Sequence, residues 1–258
     1  MIPNEPSPAP GMDDTHFNDP QGIIFDSMGR LYVADTGNHR VQIYTPAGST
    51  FVYSYTLGID GETGLDNYHF NRPAQVAFPQ ADYLFVADSG NHRVQMCAIY
   101  DQDLGWECQT FMGEPGVPGT ALDHLNPPTG IGIRGDFVYI ADTGNYRVLK
   151  CPASIPTTCT LFKGETGVPG SDDNHFLYPA DVALDKAGNV FVSDLGNHRI
   201  QMYYAGGTAT HTLGTTLTPY ATDGTYFFQP TGTAVDAANN RYVLEGSGRR
   251  LSKVDPGG

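Results

Sequence analysis

Positive charge is scarce in this 258-residue chain: 14 Lys and Arg stand against 28 Asp and Glu, a formal net charge of −14. Nucleic acid and anionic membrane surfaces attract clustered basic residues, so this balance argues against both as partners. No apolar run approaches the roughly 18 residues of a membrane span, and membrane insertion is not expected. The start, Met1-Ile2-Pro3-Asn4-Glu5-Pro6-Ser7-Pro8-Ala9-Pro10, has neither the basic end nor the apolar segment of a secretion signal. It reads as a Pro-rich extended leader, with any secretion signal outside the chain. Helical periodicity is missing throughout. So are the G-x-S-x-G and H-E-x-x-H signatures and any phosphate-cradling loop. There is no N-glycosylation acceptor, and a single Trp, Trp106.

Glycine and proline are abundant, at 31 and 19 residues, which suits many short strands joined by turns. The dominant feature is Val33-Ala34-Asp35-Thr36-Gly37-Asn38-His39-Arg40-Val41-Gln42. It recurs at residues 86–95, at 140–149 with Tyr146 in the His place, and at 192–201. An eroded copy occupies residues 243–251. A fixed period of this size marks a repeat architecture. Each copy is preceded by a Pro (Pro20, Pro73, Pro128, Pro179, Pro230) and a short apolar run, a place where the missing N–H of proline costs a strand nothing. A second strand alternating at period two follows, then the Asp-x-Gly-Asn turn, a third strand and a fourth. The expected fold is all-β: a propeller of four-stranded antiparallel blades, with four full units and a fifth lacking its outer strand. We place a leader at residues 1–15 and one domain at 16–258. The blades run over about 16–67, 68–123, 124–174, 175–225 and 226–258.

Tyr32-Val33-Ala34-Asp35-Thr36-Gly37-Asn38-His39-Arg40-Val41, preceded by Pro20-Gln21-Gly22-Ile23, resembles the NHL repeat. Asn38-His39-Arg40, Asn91-His92-Arg93 and Asn197-His198-Arg199 occupy the signature, with Arg where the family's name has Leu. The resemblance covers about residues 16–254 and implies a propeller, in most relatives one of six blades. Val254-Asp255-Pro256-Gly257-Gly258 aligns with Tyr44-Thr45-Pro46-Ala47-Gly48, so the last unit stops where its fourth strand would begin. Three explanations stay open: a five-bladed ring closed imperfectly by the leader, a fragment of a larger ring, or a blade completed by an identical subunit through strand addition at the open edge.

Cys97 and Cys151 each follow the repeat Arg by four residues, and Cys108 and Cys159 each precede a Gly by five. The matching positions of the first blade hold Tyr44 and Tyr53, a cross-strand pair. Symmetry therefore selects Cys97–Cys108 and Cys151–Cys159 among the three possible pairings. Persistent disulfides imply an oxidising compartment: periplasm, cell surface or extracellular medium.

The repeated Asp, Asn, His and Arg could orient an imidazole for acid–base chemistry. Recurrence at one place in several blades instead points to a structural turn. The residues concerned are Asp35, Asn38, His39 and Arg40; Asp88, Asn91, His92 and Arg93; Asp142, Asn145 and Arg147; and Asp194, Asn197, His198 and Arg199. In this reading Asp and Asn bond nearby backbone N–H groups, Gly37 supplies a positive φ, and Arg40 meets a carboxylate or carbonyl across a blade junction. The NHL resemblance includes peptidyl-amidoglycolate lyases, whose zinc-binding His residues directly follow the blade-opening Pro. Gln21, Ala74, Thr129, Ala180 and Thr231 stand there, so that zinc site does not carry over. Only Asp181, with Gln21 and Gln75, offers polar channel groups.

A Ca²⁺ site has its best candidates in the connector carboxylates Asp13, Asp14, Asp66, Asp123, Asp172, Asp173 and Asp223, on the rim expected to carry His39, His92 and His198. Trp106 is the candidate partner contact, its bland alternative being a cover for its own outer strand. The sum is a non-enzymatic extracellular scaffold binding a protein, a glycan or identical subunits, with no obligatory cofactor. The alternative is a metal-assisted lyase or hydrolase working in the central channel.

Overall fold

The structure, a computed structural model, describes residues 11, 13–14, 16–79, 83–99, 106–205, 210–214, 227–246 and 249–255. Strands β1 (Pro20–Phe25), β2 (Leu31–Asp35), β3 (Arg40–Ala47) and β4 (Thr50–Leu57) form the first antiparallel blade in sequence order. The second holds β5 (Pro73–Ala77), β6 (Tyr83–Asp88), β7 (Arg93–Ile99) and β8 (Trp106–Met112). The third holds β9 (Pro128–Arg134), β10 (Phe137–Asp142), β11 (Arg147–Pro152) and β12 (Thr160–Gly164). The fourth holds β13 (Pro179–Leu184), β14 (Val190–Asp194), β15 (Arg199–Tyr203) and β16 (Thr210–Leu213). The fifth has β17 (Pro230–Val235), β18 (Arg241–Glu245) and β19 (Arg250–Val254), with no fourth strand among the described residues. The expected all-β propeller is present, and its five inner strands each begin at the proline singled out by the repeat.

The inner strands β1, β5, β9, β13 and β17 pack side by side in that order. Crowding there explains the small residues of the inner strands: a Cβ on Gly130 would sit 2.5 Å from Asp181 Cα. Because side chains alternate along a strand, each blade presents one apolar face to the preceding blade and one to the next. Between the first two blades, Tyr32, Ala34, Val41 and Ile43 pack on Val76, Leu84, Val86 and the Cys97–Cys108 cystine. The same junction repeats between the second and third, third and fourth, and fourth and fifth blades. Strands of the fifth and first blades do not pack in this way among the described residues. Residues 1–10 of the leader lie outside the described residues.

Both disulfides lie where repeat symmetry put them. Cys97 and Cys108 are directly opposite on β7 and β8, and Cys151 pairs with Cys159 across the third blade's outer hairpin. In the first blade Tyr44 faces Tyr53 at the same site, their ring centroids 6.1 Å apart. One cross-strand position is thus filled by an aromatic pair or by a cystine, either of which fastens the outer strand.

A loop of 11 residues closed by Cys97–Cys108 restricts the unfolded chain by about 2–3 kcal/mol. Replacing both cysteines by alanine is expected to lower unfolding stability by about that much in denaturant titrations. An unchanged midpoint would show that the hairpin does not depend on the staple.

Candidate functional site

The repeated Asp-x-Gly-Asn segment forms a single 3-10 turn between the second and third strands of each complete blade. These turns span Thr36–Asn38, Ser89–Asn91, Thr143–Asn145 and Leu195–Asn197. The residue in the His position ends each turn in the left-handed region: His39 at φ 59°, His92 at 55°, Tyr146 at 56° and His198 at 57°. The positive φ expected of Gly37 therefore belongs to His39. Gly37 is required for another reason, since a Cβ there would lie 2.5 Å from the Asn18 side chain.

The carboxylates are not local turn caps either. Asp35 accepts the amide of Asn18, Asp88 that of Asn71, Asp142 that of Asn126 and Asp194 that of Leu177, each at 2.6–2.7 Å. Those amides belong to the connector entering the blade. The second oxygen of each Asp takes the Asn side chain at 2.8–2.9 Å and the Arg Nε at 2.7–2.8 Å. The arginine then reaches back to connector carbonyls: Arg147 donates to those of Thr120, Ala121 and His124, and Arg199 to those of Ser171, Asp172 and His175. Arg40 and Arg93 follow the same pattern. Arg40, expected to meet a carboxylate or carbonyl across a blade junction, pairs with Asp35 of its own blade, with carbonyls of the entering connector and with Asp60 of the connector that leaves toward the second blade. Burial pushes the carboxyls of Asp88, Asp142 and Asp194 up, while the guanidinium and the converging N–H groups pull them back. In the fifth blade Glu245 takes the amide of Phe228 and pairs with Arg250.

Other members of the motif tie each blade to the next. His39 Nδ1 accepts the amide of Arg72 at 3.0 Å and His198 Nδ1 that of Gln229 at 3.1 Å. The equivalent partner of His92 would be residue 127, which is proline and has no N–H. His92 Nδ1 is accordingly buried with no hydrogen-bond partner among the described residues. Tyr146, in the same place in the third blade, packs instead against the ring of Tyr178 at 5.3 Å. The hydroxyls of Thr36 and Thr143 donate to the carbonyls of Pro73 and Pro179 at 2.7 Å, and Ser89 donates to Pro128. Leu195 lacks that hydroxyl, and Ser193 with Asp181 bonds Thr233 in its stead.

The connector carboxylates pair with connector histidines rather than with the turn histidines. Asp13 meets His16, Asp66 meets His69, Asp123 meets His124 and Asp172 meets His175, all at 2.7–2.8 Å. No three His, Cys, Asp or Glu side chains gather to hold a metal ion among the described residues. Asp223 lies outside the described residues. The hydrogen bond from His124 holds the carboxyl of Asp123 below the usual range, and its ring rises in return; His175 rises likewise beside Asp172 and Glu165. Burial depresses His39, with help from Arg72, and also His92.

The central channel forms a cavity of about 470 Å³ bordered by all five blades, with Gln21, Gln75, Thr129, Asp181, Thr231 and Leu244 among its walls. Asp181 is buried there. Its oxygens accept the amides of Val182 at 2.8 Å and Thr233 at 2.9 Å, no cation pairs with it among the described residues, and burial raises its pKa. It ties the fourth blade to the fifth from the channel wall. Trp106 is half-buried, stacked on Phe70 at 6.2 Å and edge-on to Tyr68 at 6.0 Å. It seals the connector against the second blade's outer strand, and the hairpin tip beside it lies outside the described residues.

The family model of the NHL repeat matches residues 17–44 and 176–203. Mouse NHL repeat-containing protein 3 is 24% identical over 214 residues, 79% of this chain and 55% of its own length. The probable peptidyl-alpha-hydroxyglycine alpha-amidating lyase pgal-1 of Caenorhabditis elegans is 39% identical over 90 residues, 34% of this chain and 25% of its own length. The chain thus spans a quarter to about half of these relatives. Among solved structures, a nidogen/laminin complex matches with a TM-score of 0.65 at 13% identity, over 92% of this chain and 75% of that chain. Virginiamycin B lyase from Staphylococcus aureus matches with a TM-score of 0.59 at 12% identity, over 93% and 67%.

Two outcomes follow. Arg147→Ala strips the counterion from buried Asp142, and a loss of about 3–5 kcal/mol is expected in thermal denaturation. A loss within about 0.5 kcal/mol, typical of surface substitutions, would contradict the clamp. In an NMR titration, His39 and His92 are expected to protonate below the ordinary 6.5, and His124 and His175 above it. The sign differs for stability. The neutral His39 clamp is intact above 6.5 and lost as pH falls through its lowered value, whereas the His124 and His175 pairs hold below 6.5 and are lost as pH rises through their raised values. The reverse order of midpoints would refute the assigned contacts.

Proposed function

The chain is an NHL-repeat β-propeller, and from that premise we propose that it serves outside the cytosol as a non-enzymatic scaffold binding a protein or glycan partner. The observation that carries this reading is the occupation of the motif itself. In all four complete blades the Asp, Asn and Arg side chains, the most catalytic-looking groups in the sequence, converge on the connector backbone. Two cystines favour an oxidising compartment, and the similar propeller found in a nidogen/laminin complex lends the fold a protein-binding precedent. We extend the reading to self-assembly. The outer edge of β19 pairs with no strand among the described residues, and an identical subunit could add one there. On that extension, mass by light scattering rises with concentration and Ser252→Pro abolishes the rise. A monomer at all concentrations would remove the self-assembly part.

A second reading rests on the lyase-like relative and on Asp181, a buried carboxyl in the channel. The scaffold reading expects no turnover of a peptidyl-α-hydroxyglycine by the chain. Turnover that Asp181→Asn removes would overturn it in favour of channel catalysis.

A further inference from the structure

The repeat departs from its own pattern beside the opening of the second blade. The residue before the blade-opening proline is Asp19, Arg72, Pro127, Tyr178 and Gln229 in the five blades, so Arg72 is the one cation in this series. Its amide donates to His39 Nδ1 at 3.0 Å. Its backbone lies in the left-handed region at φ 51°, uncommon for a residue with a Cβ. The guanidinium meets only Asp19 among the described residues, at 3.4 Å, with both side chains more than half exposed. Such a pair contributes little and gives way readily to another carboxylate.

Arg72 borders a cavity of about 320 Å³ whose lining residues lie between Gln21 and Thr129, within the first three blades. That volume stands at the lower end of those that hold small molecules. His92 lines it too. Pro127 denies His92 Nδ1 its partner, and the nitrogen is buried. A buried unfilled lone pair is better tolerated than a buried orphan N–H, so the neutral ring carries its proton on Nε2. Burial holds the ring in that neutral form by lowering its pKa. The ring therefore offers the cavity a donor. The hydroxyls along the same wall play the opposite part. Thr36 and Ser89 donate to the carbonyls of Pro73 and Pro128, and Thr129 to that of Ala180. With their protons spent, these oxygens can only accept.

We propose that this cavity binds a sugar acid, its carboxylate on Arg72 and His92 Nε2 and its hydroxyls donating to Thr36, Ser89 and Thr129. The planar guanidinium fork matches a carboxylate. The row of acceptors calls for ligand O–H groups, which a plain carboxylic acid lacks. A polyanion does not suit a chain of net charge −14, so the ligand carries a single carboxylate. The proposal rests on the glycan-binding side of the function proposed above and names the sugar class.

It is tested by titrating the 258-residue chain with D-glucuronate and D-galacturonate, followed by NMR at the His92 ring and by calorimetry. D-Glucose and propionate serve as comparison ligands, the first lacking the carboxylate and the second the hydroxyls. At least one sugar acid should shift the His92 signals saturably and bind about tenfold or more tightly than either comparison ligand. Arg72→Gln should weaken that binding about tenfold or more; Gln229 already fills the same place in the fifth blade, so the backbone accepts the change. His92→Tyr, which copies Tyr146 of the third blade, should weaken it likewise with an unchanged melting temperature. The methyl glycoside of the binding acid separates the sources: it binds as well if the ligand is the end of a glycan, and fails if the ligand is the free acid, and either result sustains the site. No saturable binding of either acid, equal binding of D-glucose or propionate, or binding that the folded variants retain in full overturns the proposal. Should one variant not fold, the other and the ligand comparison still decide. Failure here leaves the protein-binding scaffold intact, while failure of the scaffold reading would appear as channel turnover.

Discussion

Everything in this propeller hangs on a buried aspartate–arginine pair present in each of the four complete blades, with Glu245 and Arg250 in its place in the fifth. In a water-poor junction an unpaired charge is costly, so the pair survives only because additional donors and acceptors complete it. The aspartate receives an asparagine side chain and a connector amide, and the arginine spends its remaining N–H groups on three connector carbonyls. A connector of irregular backbone, which would otherwise leave polar groups unsatisfied, becomes part of the packed blade. The pair therefore sets where its own blade begins, and the histidine and hydroxyl beside it fasten that blade to the next.

Seen this way, function is displaced to the places where the clamp changes. The fourth-to-fifth junction loses its hydroxyl at Leu195 and recruits Asp181, which leaves a buried carboxyl on the channel wall. The fifth blade keeps the acid–arginine pair as Glu245 and Arg250, with Gly246 and Arg249 in the places of Thr36 and His39. Ile23 of the first blade and Leu251 of the fifth are exposed.

The period and the strand alternation made the blades legible in the sequence, because a propeller repeats one burial pattern and a strand alternates at period two. The two cystines were legible for the same reason, through the Tyr44–Tyr53 pair that occupies their site. What the repeat concealed was longer in range. That Asp88 bonds an amide 17 residues earlier, or that His39 rather than Gly37 adopts the positive φ, depends on how the connector folds back, which local spacing does not encode. Four of the seven acids named as Ca²⁺ candidates, Asp13, Asp66, Asp123 and Asp172, are partners of connector histidines. One clue was available: Pro127 in place of an amide-bearing residue predicts that His92 loses the bond its counterparts make.

The central claim, that the motif is a clamp on the connector, is most directly tested by native-state hydrogen exchange at the amides of Asn71, Asn126 and Leu177. If each donates to a buried aspartate, these loop amides should exchange as slowly as those of the central strands β6, β10 and β14, only through large-scale opening. Exchange at the rate of exposed loops would contradict the account.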